Sequence, residues 1–210
     1  MPPSESLQIQ SLSRLADEWI VCVKPAGLES EHELPAVLSQ MLGGIPVFPV
    51  HRLDRDTAGL MVFALSSAAA AELSRLIQQG LLIKEYVARC HGALPAAEGR
   101  MEDLLFRDSR RNKVFVVSRP RAGVRRAALT WRRLADPGPD ESLVRIRLQT
   151  GRTHQIRVQF ASRGFPLYGD LKYGARDSNK VLFLFSCFLS FPWHGESCSF
   201  ELFPPWAIPQ

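Results

Sequence analysis

The chain has no C-x-x-C pair: its four cysteines, Cys22, Cys90, Cys187 and Cys198, are scattered over 210 residues. That spacing argues against a zinc framework, and nothing else suggests a disulfide-stapled secreted scaffold. Cys22 and Cys187 lie in apolar stretches and are expected as buried free thiols. Long hydrophobic runs are also missing. The longest, Val181 to Leu189, is interrupted by Ser186 and is too short to span a bilayer. Met1 to Ser6 lacks a basic region followed by an apolar core, so it does not read as a signal peptide. No phosphate-cradling loop, internal repeat, coiled coil or domain-separating linker is present. These absences lead to the expectation of a soluble, cytoplasmic protein, and a monomer is expected. Hydrophobic residues make up 46% of the chain, enough for one well-cored domain. That domain is expected over residues 12–210, after a flexible tail over residues 1–11.

Acidic residues are nearly absent from one segment. Between Arg107 and Arg133 there are ten basic residues against a single acid, Asp108, a balance of +9. The whole chain carries +5, so the remainder carries −4. A basic stripe on a mildly acidic body is the footprint of a nucleic-acid binder, because arginine grips phosphate with two prongs. An exposed hairpin kept soluble by arginine would look similar.

Two segments concentrate chemistry. His51-Arg52-Leu53-Asp54-Arg55-Asp56-Thr57-Ala58-Gly59-Leu60 gathers carboxylates, arginines and a histidine just before the apolar run Leu60 to Leu65. It reads as a polar loop entering a buried strand, a place where catalytic side chains concentrate. By itself the cluster could equally be a surface salt-bridge network. The second segment, Gln149-Thr150-Gly151-Arg152-Thr153-His154-Gln155-Ile156-Arg157-Val158-Gln159, packs hydrogen-bonding side chains into one strand-to-helix junction.

Together these segments resemble the H-R-L-D-x-x-T-[SA]-G-L and T-G-R-T-H-Q-I-R motifs of the RluA family of pseudouridine synthases. The likeness extends through Lys84-Glu85-Tyr86, Tyr168-Gly169-Asp170, Tyr173-Gly174, Phe191-Pro192 and Phe203-Pro204-Pro205. Ala58 stands where many relatives have serine. Gln159 stands where many have histidine, and Leu184-Phe185-Ser186 where many have L-H-A.

The resemblance implies an α+β fold with a mixed, largely antiparallel bent sheet, flanking helices and a central active-site cleft. It implies isomerisation of uridine in ribosomal or transfer RNA, with structured RNA as partner and no metal or other cofactor. Only about eighteen residues precede the first expected strand, so a form without the family's frequent N-terminal RNA-binding domain is expected. Asp54 matches the catalytic aspartate, Arg152 the arginine that pairs with it, and Tyr86 the active-site tyrosine. Arg52 is expected to reach into the RNA. His51, Thr153, His154, Gln155 and Ile156 are expected around the substrate, the histidines orienting loops, with Ile156 as a pocket wall. Arg119, Arg121, Arg125 and Arg126 are expected on phosphates. Two other readings remain: a non-catalytic RNA-binding protein on the same fold, and a metal phosphoesterase built on His51, His154, Asp54 and Asp56. The flanking arginines would repel a divalent cation.

Local patterns suggest further elements. Strands are expected at Trp19–Val23, Gly59–Leu65, Ile83–Cys90, Leu143–Leu148, Val181–Phe191 and Ser199–Phe203. Helices are expected at Leu34–Leu42, at Ser66–Gln79 with Gly80 as its stop, and at Thr153–Ser162. Phe115–Val117 and Ala127–Leu134 suggest a basic hairpin around the Arg119–Gly123 turn.

Overall fold

The computed structural model describes residues 9–208. Along the chain its first elements are β1 (Gln10–Leu15), β2 (Trp19–Lys24), α1 (Glu33–Met41), β3 (Phe48–Pro49), β4 (Ala58–Ala64) and α2 (Ser67–Gln78). Next come β5 (Ile83–His91), β6 (Glu98–Asp108), β7 (Lys113–Val117), β8 (Val124–Ala135), β9 (Glu141–Leu148) and α3 (Gln155–Ala161). β10 (Leu184–Trp193) and β11 (Glu196–Glu201) follow. Residues 1–8 of the expected tail lie outside the described residues, and Gln10 and Ser11 already pair with Val23 and Cys22. The α+β class with a largely antiparallel sheet holds. The chain divides into two compact units, Met1–Ile83 with Ser186–Leu202, and Lys84–Phe185 with Phe203–Gln210.

In the first unit the strand order is β1-β2-β4-β10, with β11 on β10 and β3 on β4. β2 and β4 are apolar and pair from Trp19↔Ala64 to Lys24↔Gly59. α2 covers one face of this sheet. Ser66 caps it by accepting the Ala69 amide at 3.3 Å. Ala69, Leu73 and Leu76 are its buried stripe, packed with Val21, Leu60, Val62, Leu189 and Phe191. Each leucine buried there is worth about 2 kcal/mol. Gly80 stops the helix with φ +71°, and the Leu81 amide returns to the Leu76 carbonyl at 2.9 Å.

In the second unit the order is β5-β9-β8-β6-β7. The expected basic hairpin does not form. β6 lies between its two arms: Leu105 pairs with Val116 of β7 on one side and Arg125 of β8 on the other. The reason is visible in the core-facing row of β6, Met101-Asp103-Leu105. An acid interrupts the apolar alternation, and its charge is met by the Gln159 amide at 2.7 Å and Arg163 at 2.9 Å. α3 is shorter than expected. His154 sits just before it with φ +51°, off the helical path, and leaves Thr153 in the loop.

The four cysteines are free thiols, with Cys22, Cys90 and Cys187 buried. Burial pushes Cys22 and Cys90 up to about 12. Among the described residues no helix is long and apolar enough to cross a membrane.

Candidate active site

In the first unit, the loop between β3 and β4 carries His51 to Thr57. Lys24, the last residue of β2, braces it from beneath. Its side chain is fully buried. Its Nζ donates to the carbonyls of Pro25 at 2.8 Å, Leu28 at 2.7 Å and Arg55 at 2.9 Å. An ammonium has three N–H donors, and all three are used. Burial pushes this amine down to about 8, while the nearby Asp56 and Asp54 charges oppose the shift. The Gly27 amide adds a second bond to the Arg55 carbonyl at 2.8 Å.

The residue before Asp54 is held as firmly. Buried Ser30 donates from its hydroxyl to the Leu53 carbonyl at 2.9 Å and accepts the Leu53 amide at 3.2 Å. The Thr57 amide closes a turn onto the Asp54 carbonyl at 3.0 Å. Half-buried Asp54 therefore projects from backbone fixed on both sides. His51 turns inward. Its Nε2 accepts the Val62 amide at 3.1 Å and ties the loop to β4. The two arginines are engaged by acids: Arg52 with Glu31 at 2.8 Å and Arg55 with Glu33 at 2.8 Å. Both pairs are substantially exposed.

Gly59 explains the glycine at the end of this segment. Its φ is +124°, and a Cβ would lie 2.4 Å from both the backbone nitrogen and oxygen of Ser186. Only glycine lets β4 approach that closely.

In the second unit, Tyr86 lies on β5 and is 5% exposed. It pairs with Ile146, which pairs in turn with Trp131. Trp131 packs edge-on against Phe160 of α3 at 6.4 Å. Tyr86 thus shares the α3 face of this sheet. The segment leading into α3 is held by its own side chains. Gln155 is buried. Its amide donates to the Ala128 carbonyl at 3.1 Å and accepts from the Arg152 amide at 3.0 Å and the Thr150 hydroxyl at 2.8 Å. Arg152 is exposed, with Nε donating to the Arg126 carbonyl at 3.2 Å. The Tyr173 hydroxyl accepts the Val114 amide at 2.9 Å and lies 2.8 Å from His154 Nδ1. Arg157 and Asp170, both buried, form a two-pronged pair at 2.8 Å.

The expected substrate residues therefore differ in kind. Arg52, Arg152, Arg119, Arg121, Arg125 and Arg126 are exposed and Thr153 is half-buried, whereas Gln155 and Ile156 are interior. Arg125 and Arg126 point to opposite sides of β8, since Arg125 pairs with Leu105 and Arg126 with Leu104. Lys24 and Ser30 escaped the sequence reading. Their partners are backbone groups, which leave no trace in residue type. The only signal was a lysine closing an apolar strand before Pro-Ala-Gly.

This chain belongs to the RNA pseudouridylate synthase family, whose model matches residues 18–162. The RluA-type resemblance read from the motifs is upheld. Over 145 residues the chain is 37% identical to ribosomal large subunit pseudouridine synthase D of Vibrio parahaemolyticus, covering 69% of this chain and 42% of that protein. RNA pseudouridine synthase 7 of Oryza sativa subsp. japonica is 33% identical over 182 residues, covering 82% and 46%. The chain thus spans less than half the length of these curated relatives. Its fold is similar to that of human RNA pseudouridylate synthase domain containing 1, with TM-score 0.82 and 24% identity, covering 98% of this chain and 87% of that one.

Proposed function

We propose that this chain isomerises uridine to pseudouridine in RNA, with Asp54 as the catalytic carboxylate. The observation that carries the reading is the clamp under the Asp54 loop, where Lys24 and Ser30 fix the backbone of Arg55 and Leu53. Catalysis by a carboxylate needs one direction held to a fraction of an ångström, and a braced loop supplies it.

The reaction detaches uracil from its ribose at nitrogen, turns the base and rejoins it through carbon 5. All atoms are retained, so the chemistry requires a positioned carboxylate, proton transfer and shelter from water. In this proposal Arg152 keeps Asp54 ionised and aimed. The Tyr86 ring lies against the uracil, and its hydroxyl assists proton removal from carbon 5. Arg52, Thr153 and His154 contact the RNA near the extruded base, and Arg119, Arg121, Arg125 and Arg126 meet phosphates. Relatives such as ribosomal large subunit pseudouridine synthase D favour large-subunit ribosomal RNA over transfer RNA as the target. Action in the cytoplasm as a monomer completes the proposal.

The phosphoesterase alternative is disfavoured by electrostatics. A divalent cation at Asp54 and Asp56 would meet the field of the buried Lys24 ammonium and of Arg52 and Arg55. The test is pseudouridine formation in large-subunit ribosomal RNA transcripts by the purified chain and its Asp54→Asn variant. Conversion by the first alone supports the proposal. Binding without conversion by both would leave an RNA-binding protein.

A further inference from the structure

Among the described residues no α-helix packs on one face of the second unit's sheet, which near β9 is met by Phe203, its ring 5.7 Å from the Arg145 guanidinium. α3 packs on the side of Tyr86 and Trp131. Residues pointing the other way are given by the pairing: Glu85–Arg147–Thr130–Arg100 form one row across the strands, and Arg145–Arg132–Glu98 the next. Further along, Arg126 lies opposite Leu104 and Val124 opposite Phe106.

This face is rich in arginine. Arg145 is paired with Glu85, and both Arg100 and Arg126 with Glu102. Arg132 and Arg147 are exposed and make no ion pair among the described residues. They open into a recess of about 200 Å³ that Glu85, Glu98, Thr130 and Arg145 also line. At the far end the face becomes aromatic. Phe106 lies beside Phe115 of β7, and the Arg121 guanidinium sits 4.5 Å above the Phe106 ring.

We propose that this open sheet face is a second RNA-tracking surface, which binds the phosphodiester backbone of a strand flanking the target uridine. Free planar guanidinium groups fit phosphate oxygens, and aromatic rings at the far end of such a face suit the bases of a bound strand. From Arg126 to Arg132 the strand runs about 20 Å, enough for a few nucleotides. The inference takes RNA as the partner from the proposed function. It adds that the basic segment also works on the face opposite α3, where Arg126 and Arg132 point, and not only on the side of Arg107 and Arg125.

The test compares Arg132→Ala/Arg147→Ala with Arg107→Ala/Arg125→Ala, by fluorescence anisotropy of a labelled single-stranded RNA across a salt series. The first pair should flatten the salt dependence by about 1.4 log units per decade of salt, two contacts at the single-strand value. Arg132→Lys/Arg147→Lys should retain most of it. An unchanged slope in the first pair, with the loss falling on the second, overturns the inference. So does a lysine pair as impaired as the alanine pair, because charge would then not be the cause. Binding is read without turnover. Failure of the wild-type protein to make pseudouridine would strike the catalytic proposal and leave this measurement intact.

Discussion

The Lys24 ammonium, buried at the end of β2, donates at 2.9 Å to the carbonyl of Arg55, the residue that follows Asp54. The strand that builds the first unit's core thus also braces the backbone beside Asp54. Lys24→Met removes the cation and leaves the Pro25, Leu28 and Arg55 carbonyls without it, at about 1–3 kcal/mol for each buried group left unsatisfied. The Arg55 carbonyl keeps its bond from Gly27, so a net loss of about 3 kcal/mol is expected. Urea unfolding measures it. A loss below about 0.5 kcal/mol would show that the loop does not depend on the clamp.

The same lysine has a pH signature. Burial pushes it from 10.5 down to about 8, against the pull of Asp56 and Asp54. Below that range it is protonated in folded and unfolded chains alike. Between about 8 and 10.5 the unfolded chain holds the proton and the folded chain does not, so rising pH favours folding. The stability gap between wild type and Lys24→Met should widen over that window by up to about 3 kcal/mol. Unfolding both proteins on either side of the window checks the sign. A narrowing gap would mean that the folded state holds this proton more tightly than the unfolded chain.

Asp54→Asn should abolish pseudouridine formation and leave RNA affinity within about twofold, since the change preserves size and removes charge. Arg152→Lys should lose at least about 10²-fold in single turnover, because a point donor cannot reproduce a planar grip on a carboxylate. Near-normal turnover by either folded variant would move the chemistry to other residues.

What could be read in advance divides along physical lines. Contiguous signals held: the apolar runs of β2 and β4, the Ser66 cap and the leucine stripe of α2, and the two polar motifs. β6 was illegible because Asp103 occupies a core-facing position whose partners, Gln159 and Arg163, lie on or just beyond α3. Without β6, its neighbours looked like a hairpin. Gln155, expected around the substrate from its place in the second motif, is buried in the fold, and besides the Thr150 hydroxyl it bonds the Ala128 carbonyl and the Arg152 amide, main-chain partners that residue type does not disclose.

The buried pair of Arg157 and Asp170 joins α3 to the Tyr168-Gly169-Asp170 segment. Arg157 also lies 5.4 Å from the Tyr173 ring. Asp170→Ala removes the two-pronged partner of a buried guanidinium and should cost about 3 kcal/mol. Chemical denaturation decides it, and a cost under about 1 kcal/mol would mean that Arg157 finds water or another acid once released.

Gly59→Ala should destabilise by about 3 kcal/mol or more. The new methyl group meets Ser186 main-chain atoms at 2.4 Å, and the left-handed φ is strained for any other residue. Leu60, immediately after it, is in the core, so the damage should reach β4 as well as the loop. Gly27→Ala is a useful control, with a positive φ of its own, +88°, and open space around its Cβ. It should cost only the backbone strain, about 1 kcal/mol. Equal losses in the two variants would show that φ, rather than contact with Ser186, governs Gly59.

Glu31 holds Arg52 at 2.8 Å, so any phosphate that takes Arg52 must displace an acid already in place. Both side chains are nearly half exposed, which limits the pair to less than about 1 kcal/mol. Glu31→Gln removes the competing charge while keeping a side chain of the same length. RNA affinity should rise by up to about fivefold, the equivalent of that energy. The salt dependence should steepen by up to about 0.7 log unit as Arg52 becomes available to one more phosphate. Single-turnover rate at saturating enzyme should stay near wild type, because Glu31 acts on capture and not on the reacting base. Anisotropy titrations of Glu31→Gln and of Glu31→Gln/Arg52→Ala separate the causes. If the gain survives in the double variant, Glu31 repels RNA on its own account and Arg52 is not the group it restrains.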